Sequence, residues 1–312
     1  MAKIVALFDQ ANAECASYMR PLKFYFKKAG YDLEVLKKEE SDKKSYDIIV
    51  KSHFGEKLSD YYTSGKPHIY ISYKRYDVAP NDNVPYCLRF TNRYIEEERK
   101  NEEIIYLPYV SNFMKKVKYD NFSSTREYVL AYCSSNKVLI RETSFDVFVS
   151  VLGHDNCVSL GDCYGSFEGT NIKLDGNHTS KGLSRVLSEF KFMMCFENGD
   201  VPGYITEKIM LAYRSGCIPV YWGTDAVTNY FNEKSFINVK KFETVEECAK
   251  YVSSLSNRAI DRMRMQPMFK GENGVLTNVP PRELSISNAS DHNIEKFTMW
   301  ASQLITKPIT IR

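Results

Sequence analysis

The sequence has no long hydrophobic run. None of its apolar stretches approaches the roughly 18 residues that a membrane-spanning helix needs. The N-terminal segment MAKIVALFDQ turns polar after a brief apolar run, which does not fit a signal peptide. The sequence also lacks an excess of charge of one sign. The net charge is only +3 and the lysines are scattered, so neither nucleic acid nor a membrane surface is expected as a partner. These absences predict a cytoplasmic protein without a transmembrane segment.

Metal-binding and disulfide patterns are absent as well. The eight cysteines form no CxxC pair and the five histidines do not cluster with them, so no zinc site is expected. Cys133, Cys195 and Cys217 lie inside apolar runs, where a reduced thiol packs as a small hydrophobe. Cysteines of this kind are typical of a reducing compartment.

The common nucleotide-binding fingerprints are missing. Neither GxxxxGK[ST] nor GxGxxG occurs, so the sequence carries no P-loop and no dinucleotide motif. It also has no Asp-x-Asp pair of the kind that holds a divalent metal on a sugar nucleotide. Any bound diphosphate would therefore have to be neutralised by side chains and backbone amides, and no obligatory metal or other cofactor is expected.

The overall composition is that of a globular protein, with 43% hydrophobic and 26% charged residues. Its 312 residues exceed what one core usually organises, so two domains are expected. Short apolar runs alternate with helix-length segments, which predicts α/β domains with parallel sheets. The polar stretch near 118–126 suits a linker. It divides the chain into domains at 1–120 and 125–288, with a C-terminal helix at about 290–312 expected to pack back on the first.

The predicted elements follow the apolar runs. Strands are expected at 3–8, 31–36, 46–50, 69–73, 84–90, 104–109, 127–133, 191–196, 217–222 and 235–239. Helices are expected at 18–28, 141–152, 180–190, 206–215, 226–231, 244–255 and 291–305, with a loop at 267–289. In parallel sheets ligands bind beyond the carboxyl ends of the strands, which is where the loop between residues 196 and 206 falls.

The segment FENGDVPGYITEKIMLAYRSGCIPVYWG, residues 196–223, stands out within this pattern. Thr206 is expected to be the N-cap of a helix, which places Glu207 and Lys208 at its first two positions. The unpaired N–H groups and positive dipole end of such a helix suit a diphosphate, and Lys208 adds a full positive charge. From spacing alone a second interpretation stays open: a Glu in this place favours any helix start by ~0.3–1 kcal/mol, with Lys208 simply solvated.

The longer stretch KFMMCFENGDVPGYITEKIMLAYRSGCIPVYWG resembles the signature of the α1,3-fucosyltransferases, family 10 of the glycosyltransferases. The shared features are a strand ending in Phe-Glu-Asn, the helix start Tyr-Ile-Thr-Glu-Lys and the strand end Pro-Val-Tyr-Trp-Gly. The similarity continues through residues 231–232 and 234–239. The resemblance implies a GT-B-like α/β fold, with two Rossmann-like domains whose parallel sheets face each other across a cleft. The first domain would bind the acceptor and the second the GDP-sugar donor.

The resemblance also implies an activity. The reaction would be an inverting transfer of L-fucose from GDP-fucose to a hydroxyl of an oligosaccharide or glycoconjugate acceptor, of the α1,3 type. Lys208 would neutralise the donor phosphates, and Glu207 would contact the donor and help to stabilise an oxocarbenium-like transition state. The other donor-binding positions implied are Asn136, Arg141, Asn198 and Tyr204.

The general base for the acceptor hydroxyl is the part of the pattern that the sequence does not match. Members of the family place a Glu after a first-domain strand, in a stretch similar to Thr-Gly-Glu-Asn. The corresponding stretch here, ISYKRYDVAPN at 71–81, contains no Glu. Asp77 is the nearest carboxylate and the first candidate, unless it is an ordinary loop residue before a proline turn. Glu56 is the weaker candidate, and Lys74 and Arg75 in the Asp77 loop would favour an acidic acceptor sugar.

Two other functions stay open. The fragment Gly-Cys-Ile-Pro-Val at 216–220 also occurs in exostosin-like transferases, so a GT-B glycosyltransferase with another nucleotide sugar is one alternative. The missing Glu makes a catalytically degenerate glycan-binding or sugar-nucleotide-binding protein the other. The joint presence of Asn198, Glu207, Lys208 and Arg141 favours an enzyme. The expected lack of a membrane anchor favours a bacterial or viral source.

Overall fold

The computed structural model describes residues 1–8, 15–37, 44–52, 66–72, 87–91, 94–95, 102–114, 126–134, 136–161, 171–172, 181–284 and 291–306. The chain forms two compact units, one of residues 1–112 and 282–312 and the other of residues 113–281. Each unit is built on a six-stranded sheet. All the strand pairs described in these two sheets are parallel, which confirms the predicted α/β class.

The sheet of the first unit has the strand order β2-β1-β3-β4-β5-β6. Its strands are β1 (Ala2–Phe8), β2 (Tyr31–Lys37), β3 (Ile48–Ser52), β4 (His68–Ser72), β5 (Cys87–Thr91) and β6 (Glu102–Tyr106). Its helices are α1 (Cys15–Lys28) and the C-terminal α8 (Asp291–Thr306). Phe26 of α1 and both Phe297 and Trp300 of α8 are fully buried in one apolar core with alternate side chains of the strands. The C-terminal helix therefore completes the core of this unit.

The sheet of the second unit has the order β12-β11-β10-β7-β8-β9. Its strands are β7 (Tyr128–Ser134), β8 (Cys157–Gly161), β9 (Asn171–Ile172), β10 (Phe190–Phe196), β11 (Ile218–Trp222) and β12 (Ile237–Asn238). Its helices are α2 (Leu139–Leu152), α3 (Lys181–Leu187), α4 (Glu207–Arg214), α5 (Val227–Tyr230), α6 (Val245–Ser254) and α7 (Asn257–Arg264). A separate antiparallel pair is formed by β13 (Phe269–Lys270) and β14 (Leu276–Thr277).

The position of β10 within the sheet explains why its sequence is almost uniformly apolar. It pairs with β7 on one side and β11 on the other, and six of its seven residues are buried. A strand covered on both faces of a parallel sheet needs hydrophobic side chains in both directions, so FKFMMCF does not alternate. The helix α4 follows β10 and presents Ile209, Ala212 and Tyr213 as buried residues, at the spacing expected from sequence.

The structure corrects several predicted bounds. The helix expected to run to residue 190 ends at Leu187, because β10 already begins at Phe190. The segment 267–289 was predicted as loop and contains the pair β13–β14. Asn273 and Gly274 both have positive φ angles, 57° and 75°, which suits the tight turn between those two strands. Among the described helices, none is both long and apolar enough to cross a membrane.

Candidate functional site

Three chain segments meet at one edge of the second sheet. Because β10 lies between β7 and β11 and all three are parallel, the segments that follow them leave from the same edge. Ser134 ends β7, Glu197 follows β10 directly, and Gly223 follows β11 directly. Side chains at this edge, together with the start of α4, form the candidate site.

The helix α4 begins at Glu207 with Thr206 as its N-cap residue, as the sequence predicted. The Thr206 side chain does not cap the helix amides, however. Its hydroxyl donates to Glu197 Oε2 at 2.6 Å and accepts from Lys208 Nζ at 3.0 Å. The first-turn amides are therefore left without the threonine cap that usually satisfies one of them.

Glu197 is a carboxylate with no exposed surface. Besides the Thr206 hydroxyl, it accepts the Thr206 backbone N–H at 2.8 Å through Oε1. Burial raises the pKa of Glu197 and the nearby Glu207 carboxylate adds to that, while Lys208 and the Thr206 hydrogen bonds oppose it. A buried acid of this kind is costly to ionise, and its partners are what make the charged form tolerable.

Lys208 lies between two carboxylates. Its ammonium is 3.0 Å from Glu207 Oε1 and 3.5 Å from Glu197 Oε2, and only 12% of its side chain is exposed. Burial by itself lowers the pKa of Lys208, but the attraction of Glu207 and Glu197 outweighs it, so the pKa ends above its ordinary value of 10.5. Lys208 is thus a held, charged group, and the interpretation of it as a solvated surface lysine is wrong.

A second cation reaches the same edge from α2. Arg141 is 2% exposed and donates from Nη1 to Ser134 Oγ at 2.7 Å and from Nη2 to Asn198 Oδ1. Its Nε is buried without a hydrogen-bond partner in the described part of the chain. Asn136 is exposed, and its backbone N–H donates to Ser134 Oγ at 3.2 Å. The arginine therefore joins the last residue of β7 to the segment after β10.

The loop between β10 and α4 is held in place by side chains from elsewhere in the unit. Gly203, with a φ of 78°, donates its N–H to Thr224 Oγ1 at 3.0 Å. Tyr204 is 3% exposed, and burial together with Glu197 raises the pKa of its hydroxyl. Lys240 forms an ion pair with Asp200 of this loop at 2.9 Å. The loop is therefore packed against the unit and not freely exposed.

Comparison with known proteins identifies the second unit. Residues 123–264 match the family model described as glycosyltransferase family 10 (fucosyltransferase), C-terminal part. These residues are a glycosyltransferase family 10 domain. The family 10 domain contains every residue of the candidate site, from Ser134 to Gly223.

Individual proteins are similar to parts or all of the chain. An α-(1,3)-fucosyltransferase of Helicobacter pylori is 38% identical over 103 residues, which cover 32% of this chain and 22% of that protein. The GDP-fucose protein O-fucosyltransferase 3 of Homo sapiens is 28% identical over 141 residues, 43% of this chain and 29% of that protein. The matched stretches thus span less than a third of these relatives' length.

A crystal structure of α1,3-fucosyltransferase with GDP-fucose matches the fold of the whole chain. The TM-score is 0.63 with 19% sequence identity, covering 100% of this chain and 93% of that chain. The match confirms the GT-B-like fold class at the level of the chain. Which of the two units binds acceptor and which binds donor remains a prediction.

The structure brings together most of the site residues predicted from sequence. Lys208 and Tyr204 are close enough to Arg141 for its charge to oppose the rise of their pKa values. Glu207 pairs with Lys208, and Asn198 contacts Arg141 directly. The candidate bases Asp77 and Glu56, with Lys74 and Arg75, lie outside the described residues. Their roles stay predictions, as does the expectation that no metal is required. Among the residues that the structure describes, no three His, Cys, Asp or Glu residues are grouped to hold a metal ion.

Glu197 is a site residue that the predictions from sequence do not include, although its position in the sequence carries a signal. It is the charged residue that ends the apolar run FMMCF, at the carboxyl end of a strand expected to be buried. A carboxylate in that position either turns to solvent or needs partners. The structure shows the second outcome.

Proposed function

We propose that the chain is an inverting glycosyltransferase that transfers L-fucose from GDP-fucose to a hydroxyl of an oligosaccharide or glycoconjugate acceptor, with α1,3 selectivity. The observation that carries the proposal is the charged Lys208, held at the start of α4 within a glycosyltransferase family 10 domain. The names of the two relatives, both fucosyltransferases, support fucose as the sugar.

The donor diphosphate is assigned to the start of α4. The helix offers first-turn amides that Thr206 does not cap, and Lys208 adds a positive charge beside them. Arg141 supplies a second cation, and its Nε has no partner among the described groups. Asn198 and Tyr204 are assigned to the walls of the nucleotide-sugar pocket. Two cations and a helix start match the charge of a diphosphate without requiring a metal.

The reaction is a single displacement at the anomeric carbon. The acceptor oxygen forms the new bond to that carbon while the bond to the β-phosphate oxygen breaks, and its electron pair leaves with GDP. Because negative charge gathers on the departing phosphate, cations aimed at it stabilise the transition state more than the ground state. The proton of the acceptor hydroxyl passes to a carboxylate, for which Asp77 is the first candidate and Glu56 the second.

Calorimetric titration tests the donor assignment. Purified protein is titrated with GDP-fucose, GDP and UDP-sugars, and the same is done for Lys208→Ala and the control Lys250→Ala. Lys250 is an exposed lysine on α6 that pairs only with Glu246 in the contacts described. We expect binding of the GDP species alone, lost in Lys208→Ala and unchanged in the control. A preference for UDP-sugars would indicate another nucleotide sugar, and absence of GDP binding would refute the assignment.

Turnover separates an enzyme from a binding protein. Release of GDP from GDP-fucose is followed with and without acceptor, using glycans and, because the human relative is named as a protein fucosyltransferase, folded proteins as well. We expect GDP to be released, at a rate that the Lys208→Ala substitution lowers by about 10²–10³-fold. Tight donor binding with no release under any acceptor would identify a catalytically degenerate protein.

A further inference from the structure

Glu197 has no surface through which it could touch a substrate. It is fully buried, yet both of its carboxylate oxygens are used. Oε1 accepts the backbone N–H of Thr206 at 2.8 Å, and Oε2 accepts the hydroxyl of the same residue at 2.6 Å. One carboxylate therefore holds both the backbone and the side chain of the residue from which α4 starts.

The hydroxyl of Thr206 transmits this constraint to Lys208. A hydroxyl has one proton, and here it is directed at Glu197, so a lone pair of Oγ1 is left to face Lys208 Nζ at 3.0 Å. Glu197 Oε2 itself is 3.5 Å from the same ammonium. The three groups form a closed triangle in which the ammonium position depends on the carboxylate.

The carboxylate is in turn anchored to the sheet. The Glu197 backbone N–H donates to the Trp222 carbonyl at 2.8 Å, at the end of β11. Gly223, the next residue, packs closely against the Glu197 side chain, since a Cβ there would lie 2.9 Å from Glu197 Cγ. The triangle is therefore attached to the ends of β10 and β11 and not to the loop alone.

We propose that Glu197 is a positioning residue that acts through Thr206 to hold the Lys208 ammonium at the start of α4, ready for the β-phosphate of the donor. The inference rests on the proposed function, since it takes the ligand of Lys208 to be a nucleoside diphosphate. Groups that are already oriented when the ligand arrives need no reorganisation during the reaction.

The ratio of the affinities for GDP and GMP tests the proposal, because the two ligands differ by the β-phosphate alone. The variants are Thr206→Val, which removes the hydroxyl at nearly constant volume, Thr206→Ser, which keeps it, and Glu197→Gln. An amide accepts hydrogen bonds at one end only, so Gln must turn its NH₂ towards either the Thr206 N–H or the Thr206–Lys208 pair. We expect Thr206→Val and Glu197→Gln to lower the ratio of GDP affinity to GMP affinity by about 10–100-fold. This is the effect of losing one hydrogen bond to a charged group. Thr206→Ser should stay within about twofold of the wild type, as the conservative replacement.

The outcomes separate this inference from the proposed function. A wild-type protein that binds no GDP, or does not prefer GDP to GMP, overturns both. A wild-type preference that survives in Thr206→Val and Glu197→Gln overturns the inference alone. So does a rise of GDP affinity in Glu197→Gln, because Glu197 would then be only a counter-charge. Melting temperature and GMP affinity report folding, and if Thr206→Val does not fold, the volume-conserving Glu197→Gln decides.

Discussion

Gly223 is the position at which a single methyl group should disturb the fold and the site together. A Cβ at this residue would lie 2.9 Å from Glu197 Cγ and 2.9 Å from the Tyr221 hydroxyl, with Glu197 Cβ at 3.2 Å. Both neighbours are fully buried, so neither can swing into solvent to make room. Gly223→Ala must therefore move β11 or the Glu197 side chain.

The expected size follows from the overpacking of a close-packed interior. An added methyl group in such a site costs about 1–3 kcal/mol. In a domain of 150–250 residues each kcal/mol shifts the melting temperature by roughly 2–4 °C, so we expect a fall of about 2–12 °C. Because Glu197 holds Thr206 and thereby Lys208, GDP affinity should fall in the same variant.

Differential scanning calorimetry and GDP titration measure the two effects. The matched control is Gly274→Ala in the same unit, where φ is 75° and a Cβ would meet no atom within 4 Å. This control loses the left-handed freedom of glycine, about 1–2 kcal/mol, and should bind GDP as the wild type does. A Gly223→Ala protein with wild-type melting and GDP affinity would refute the idea that Glu197 is locked from the β11 side.

Three further substitutions probe the charges of the site. In the folded protein the pKa of Glu197 lies above its ordinary value of 4.5, so its ionisation costs stability as pH rises, and at pH values below 4.5 the cost is absent. Lys208→Met removes the attraction that limits this cost, so its deficit in unfolding free energy should widen with rising pH, and a deficit independent of pH would contradict the coupling. Arg141→Lys cannot reach both partners of the guanidinium and should weaken GDP binding about tenfold in titration, whereas unchanged affinity would remove Arg141 from the donor site. Glu207→Gln should bind GDP at least as tightly as the wild type while GDP-fucose turnover falls, and a parallel loss of both would make Glu207 a binding residue only.

The parts of the fold that the sequence predicts are those whose signals are local. The strands β1, β7, β10 and β11 each coincide with an apolar run, and α4 starts directly after Thr206, as expected from the sequence. The strand β8 was missed because CVSLG is short and mixed, and its extended form depends on pairing with β7. The two-residue β9 has no local pattern at all. Tertiary pairing supplies what these segments lack.

In the site, too, the local features are predictable from sequence and the tertiary contacts are not. The helical position of Lys208 follows from its neighbours in sequence, but its burial does not, because it is set by Glu197 on the preceding strand end. The contact between Arg141 and Asn198 joins residues 57 positions apart and has no sequence signature of its own. Spacing could therefore place the charges but could not show which of them are held and which are solvated.

The unequal burial of the two carboxylates beside Lys208 determines which of them a bound diphosphate would displace. Glu197 has a fully buried side chain and is anchored to the sheet, whereas 19% of the Glu207 side chain is exposed. An arriving diphosphate can compete with an acid that reaches solvent far more readily than with one that is enclosed, because the exposed partner is rehydrated when displaced. In the proposed function, donor binding therefore exchanges Glu207 for phosphate at Lys208 and leaves Glu197 in place. The released Glu207 carboxylate then lies beside the diphosphate, where positive charge develops on the sugar as its bond to phosphate breaks. Glu197 would thus keep its contact with Lys208, and the partly exposed Glu207 would release it. In the same step Lys208 would stabilise the negative charge on the phosphate and the adjacent Glu207 the positive charge on the sugar.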